Sequence, residues 1–157
     1  MIDYPLEDLL ALRVVREEAA QREFVLAERA LKQAIERERE KKKALEDYRL
    51  LVETEKEARY DAIMGAEMTK DDIEEFRAGL SELDRKVLVI EEDLQKAIEE
   101  TKDCQKQLEN CRQARLAALK AKEKIELHKE IWLEKSKKEA EKVEENEIDE
   151  FSVRSIF

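Results

Sequence analysis

Met64-Gly65-Ala66-Glu67-Met68-Thr69-Lys70-Asp71-Asp72 is the stretch on which the fold turns. Gly65 suits the left-handed conformation that ends a helix. Four residues on, Thr69 is a candidate N-cap, with Asp72 three further along in a variant of the capping box. Asp71, Asp72, Glu74 and Glu75 then crowd negative charge onto a first turn, where the helix dipole favours it. A stop, a short loop and a start predict an αα-hairpin turn at 65–70.

Working outward, the second arm carries a 3-4 apolar spacing. Steps of three and four from Ile73 land on Phe76, Leu80, Leu83, Val87, Ile90, Leu94, Ala97, Thr101, Cys104, Leu108 and Cys111. Eleven of those twelve positions are apolar, against 42% for the whole chain, so the spacing is not accidental. The same register continues through Arg115, Ala118, Lys122, Ile125, Lys129 and Trp132, where the stripe weakens. The first arm answers with Ala20, Phe24, Ala27, Leu31, Ala34, Glu38, Lys41, Leu45, Tyr48 and Val52, interrupted within the charged run 36–43. Polar residues at such seam positions usually fix register at a cost in stability. Ahead of it, Leu6, Leu9, Leu10 and Val14 form a broader stripe beside Arg13 and Arg16, and Pro5 suits the first helical turn.

The expected fold is therefore all-α, a long two-helix antiparallel coiled-coil hairpin. Residues 1–64 supply helix 1, 65–70 the turn, 71–150 helix 2, and 151–157 a flexible C-terminal tail. With the loop centred near Met68, opposed residue numbers sum to about 136, which sets Tyr4 opposite Trp132. The chain beyond Trp132 overhangs and is expected to fray.

Composition agrees: 46% of residues are charged, 5% aromatic, with two glycines and one proline, as in long helices and coiled coils. The net charge of −10 disfavours nucleic acid as a partner. No apolar run approaches the roughly 20 residues that span a bilayer, and the first residues lack the basic start and apolar run of a signal peptide. A cytosolic monomer is expected, with Cys104 and Cys111 as free thiols roughly 10 Å apart along one helix.

Catalysis finds no footing. His128 is the single histidine, so a nucleophile–base arrangement has one candidate base and no pocket to hold it. Cys104, Cys111 and His128 match no zinc spacing. Paired carboxylates such as Glu99 and Glu100 are read as solvated faces pairing with Lys and Arg. No enzyme activity, cofactor or metal is expected, and the chain should act by holding partners. Met64, Met68, Ile73 and Phe76 at the turn offer one adaptable surface.

Three features together resemble a known family. They are the Tyr4-Pro5-Leu6 opening followed by Leu9, Leu10 and Arg13; the single mid-chain turn; and Leu127-His128-Lys129-Glu130-Ile131-Trp132 ahead of an acidic tail. The pattern is similar to the type III secretion stalk proteins of the YscO/CdsO group, relatives of flagellar FliJ, over essentially the whole chain. That resemblance implies an antiparallel coiled coil whose open end sits in the centre of a hexameric secretion ATPase, and which also contacts the cytoplasmic domain of the export gate. Some members bind export chaperones. It implies an ATPase-facing set of Leu6, Leu10, Arg13, Arg16, His128 and Trp132. Direction along the coil then assigns Tyr48, Met64, Met68 and Phe76 to the export-gate end. The implied location is the bacterial cytoplasm, peripheral to the secretion apparatus at the inner membrane. Two other functions fit the residues: a structural coiled coil that self-associates, and a holdase-like chaperone using the methionine-bearing tip.

Overall fold

The computed structural model describes residues 3–156; residues 1–2 and 157, at the outer ends of the first and last expected segments, lie outside it. Two helices account for almost all of it: α1, Glu7–Ile63 (57 residues), and α2, Lys70–Ile156 (87 residues). They pack antiparallel as a coiled-coil hairpin. Gly65 takes φ +78°, the left-handed stop that the sequence asks for. The turn closes through Met64 N–H to the Tyr60 carbonyl (3.1 Å) and Ala66 N–H to the Ile63 carbonyl (3.1 Å). α2 opens with a reciprocal cap. Asp72 N–H donates to Thr69 Oγ1 (3.2 Å), and Thr69 N–H donates to Asp72 Oδ2 (3.1 Å). Donation to its carboxylate by the Thr69 backbone N–H, and next by the Thr69 hydroxyl, holds the Asp72 carboxyl below its ordinary range.

The chain divides into two compact units, Leu26–Glu109 and the remainder, which comprises the residues up to Val25 and those from Asn110 on. In the hairpin unit, the α2 seam is buried or half-buried at every step from Phe76 to Leu108. Ile73 is exposed, so this seam starts one step later than the spacing suggests. Ala27, Ala34, Leu45 and Val52 are buried on α1, facing Leu83, Ala97 and Thr101 on α2. Thr101 is the one buried polar side chain among the described residues. Its hydroxyl reaches the Ala34 carbonyl across the seam (3.3 Å) and the Ala97 carbonyl on its own helix (3.0 Å). That satisfaction is why a hydroxyl is tolerated among apolar neighbours. In the interrupted run, Glu38 is half-buried and Lys41 points out to solvent.

Ion pairs flank this seam: Arg37–Glu100 (2.9 Å), Arg49–Glu91 (2.7 Å) and Lys56–Asp84 (2.7 Å). Exposed pairs contribute only about 0–1 kcal/mol each, so their main consequence is register. Residue numbers in these pairs sum to 137, 140 and 140, one to four above the expected 136, because flanking side chains reach diagonally across the seam.

The other unit is built differently. Phe24 and Cys111 are buried, and Arg115 lies over the Phe24 ring at 4.8 Å from its centroid. Farther along, the seam positions Lys122 and Lys129 are half-buried, each turned to a carboxylate of α1 (Glu17 at 3.8 Å, Glu7 at 2.8 Å). The sequence reading ends helix 2 near 150 and leaves 151–157 as a flexible tail. In the structure α2 instead continues to Ile156. Nothing after Gly79 breaks a helix, since no glycine or proline follows, and pairs such as Lys138–Glu134 (3.5 Å) support it locally.

Candidate partner-binding surfaces

The open end of the hairpin is organised by one tyrosine. Tyr4 precedes α1, and its carbonyl accepts from Glu7 N–H (3.2 Å), which starts the helix. Its side chain is 6% exposed, although it lies at the very beginning of the described chain. The ring packs edge-on to Trp132 (centroids 5.5 Å, 63°) and tilted against His128 (5.7 Å, 50°), and its hydroxyl is hydrogen-bonded to His128 Nδ1. Lys129 Nζ sits 5.9 Å from the same ring while bridging to Glu7. Edge-on ring pairs contribute about 0.5–1.5 kcal/mol beyond burial. Here they tie the start of α1 to α2.

Of the six residues implied for this end, His128 and Trp132 are brought together, through Tyr4. Leu10 and Arg13 are half-buried against α2, and the Arg13 Nε is buried without a hydrogen-bond partner. Arg16 and Leu6 are exposed and available. The cluster thus has an inward part that locks the coil and an outward part that can meet another molecule. Tyr4 itself was legible as part of the opening motif and as lying opposite Trp132, but not as a hydrogen-bond partner of His128. Its bond to His128 follows because His128 is one helical turn before Trp132 on α2.

At the hairpin end, Met64 is 80% exposed, and Met68 and Phe76 are half-buried. Phe76 packs edge-on to Tyr60 (5.2 Å, 73°), a residue outside the sequence-derived set. The signal was present: 60 and 76 sum to the expected 136, but Tyr60 lies off the 3-4 stripe and is half exposed. Tyr48 does not join this group. It is half-buried in the seam about 24 Å along α1 from Met64, from a rise of about 1.5 Å per residue. Among the described residues, no group of three His, Cys, Asp or Glu could hold a metal, and no helix is long and apolar enough to cross a membrane.

A long antiparallel two-helix hairpin with aromatic clusters and exposed apolar and cationic side chains places the chain among coiled-coil proteins. The family follows from comparison. A model of the type III secretion protein YscO matches residues 6–154, and this chain belongs to the YscO family. Among solved structures, it is similar to CT670 from Chlamydia trachomatis, described as a candidate YscO homolog. The two share 26% identity with a TM-score of 0.78, over 97% of this chain and 93% of that one. No curated protein matches the chain.

Proposed function

We propose that this protein is the non-enzymatic central stalk and escort of a bacterial type III secretion ATPase, linking a hexameric ATPase to the export gate, with export chaperones as a further class of partner. The match of the YscO family to residues 6–154 carries the reading, because it spans both arms and the turn. The open end supports it. Tyr4, His128 and Trp132 close the coil firmly, leaving Leu6 and Arg16 outward for a ring of subunits. Met64 at the tip, with Met68 and Phe76 beside it, suits a second, adaptable contact at the gate. The working site is the cytoplasmic face of the inner membrane.

The test is ATP turnover by a purified hexameric secretion ATPase with and without this protein. The intact chain should bind and alter turnover, and a variant with Leu6→Ser and Arg16→Glu should bind at least tenfold more weakly with unchanged helicity. An ATPase indifferent to the intact chain would overturn the reading.

A further inference from the structure

Among the described residues, α2 has no partner helix beyond Trp132, yet it is neither featureless nor uniformly acidic there. Residues 110–138 carry nine Lys and Arg against four Glu, whereas 139–157 carry two against seven Asp and Glu. One helix thus switches from a net charge of +5 to −5. The same length of helix carries large apolar side chains on its outer face, away from α1. Leu127 and Ile131 are exposed before the switch. Ile148 (64% exposed) and Phe151 (75%) are exposed after it, where they line a shallow depression with Glu144 and Glu147. Steps of four and three from Leu127 reach Ile131, Glu134, Lys138, Glu141, Glu145 and Ile148, so both apolar groups lie on one face of one helix.

This face is self-complementary when reversed, and we infer that it is the interface with a second copy of this chain, the C-terminal thirds of the two α2 helices pairing antiparallel. Centred between 139 and 140, the pairing sets Ile131 of one copy against Ile148 of the other and Lys138 against Glu141. Glu134 against Glu145 is the one like-charged step on this face, and beside it Lys135 falls level with Glu144. Phe151 covers the Leu127 side. Each apolar group meets an apolar group, and each basic half lies along an acidic half. A neutral or purely acidic partner would satisfy only one half of the helix. Two-fold symmetry uses the same patch twice, so the assembly closes at two copies. The attraction is largely between exposed charges and is screened by salt. If the open end docks in an ATPase as proposed above, the pair covers the flank of His128 and Trp132, and the dimer is then the undocked form.

Sedimentation equilibrium of the intact chain tests this without any other protein. At about 10 mM salt, where screening reaches about 30 Å, the mass should rise with concentration from 18.5 kDa towards twice that value. It should fall back to monomer at about 1 M salt. The variant Lys135→Glu/Lys137→Glu/Lys138→Glu should be monomeric alone, as should Glu141→Lys/Glu144→Lys/Glu145→Lys, with helical circular dichroism retained. An equimolar mixture of the two should form a heterodimer at least tenfold tighter than the wild-type pair. Ile131→Ser/Ile148→Ser should weaken pairing in the wild-type background. A wild-type mass independent of concentration, a mixture no more associated than its components, serine variants that pair as wild type, or growth past two copies would each overturn the inference. None of these outcomes depends on the ATPase.

Discussion

Replacing Tyr4 separates what locks the open end from what merely decorates it. Tyr4→Phe keeps the ring against Trp132 and removes only the hydroxyl bonded to His128. Because His128 is otherwise exposed, water takes the vacated site and the loss should be about 1 kcal/mol. Tyr4→Ala also removes a side chain that is 6% exposed, and burying an aromatic of this size contributes about 3 kcal/mol or more. Part of that loss is blunted because the coil end can open locally rather than unfold as a whole. Trp132 is the single tryptophan, so its emission reports this end and nothing else. In urea titrations, Tyr4→Ala should make the Trp132 transition precede the loss of far-ultraviolet helicity, with a red-shifted emission before any global melting. Tyr4→Phe should keep the two transitions together. If Tyr4→Ala left Trp132 emission and midpoint unchanged, or if Phe and Ala were equally damaging, the ring packing would not be the lock.

Gly65→Ala should cost about 1 kcal/mol from its φ of +78° alone, because an added Cβ meets nothing within 4 Å; chemical denaturation at fixed pH measures it. Asp72 is held below its ordinary value of 3.8, so its cap strengthens the folded state above that pH and the benefit fades as pH falls through the lowered value. Protection of the Ile73 amide, taken relative to its intrinsic exchange rate, should therefore fall only in that acid range, and Asp72→Asn should abolish that pH dependence. Lys122 and Glu17 are 22% and 19% exposed, so Glu17→Leu alone strands a largely covered ammonium and should destabilise by about 1–3 kcal/mol, whereas Glu17→Leu with Lys122→Met should recover most of it in thermal melts. Met64→Lys, at an 80% exposed site, should leave stability within about 0.5 kcal/mol while weakening any gate contact measured by titration.

The fold was legible because each of its determinants is local or periodic. A left-handed glycine, a capping pair and a 3-4 stripe are all read within a few residues of one another, and the hairpin follows. What escaped depends on distances that a stripe does not encode. Contacts within the seam keep a sum near 136, from Tyr4–Trp132 and Tyr60–Phe76 (136 each) to Thr101–Ala34 (135), whereas the flanking ion pairs run diagonally with sums of 137 to 140. A fixed sum therefore finds Tyr60 beside Phe76 but misplaces the ion pairs by one to four residues. Lys122 and Lys129 read as a weakening seam, since sequence alone could not show that Glu17 and Glu7 come across to meet them. The end of α2 was missed for another reason. A charged helix without a seam looks like a fraying one, although no residue in it stops the helix.

Seam chemistry also separates the two units in what each can do. In Leu26–Glu109 the buried positions are mostly aliphatic or small, so contacts there are non-directional and the flanking ion pairs supply the choice of register. In the other unit, charge and aromatic contacts enter the seam itself, through Arg115 on Phe24, Lys122 on Glu17, and Lys129 beside Tyr4 and Glu7. Such contacts hold one geometry and lose strength steeply once displaced, because a half-buried charge without its partner is costly. An end built this way resists sliding of one helix past the other while leaving Leu6 and Arg16 free to face outward. That is the property a coil end needs if it is gripped from outside by another protein. Grip by a partner then acts on a rigid pair of helices rather than on two separable strands.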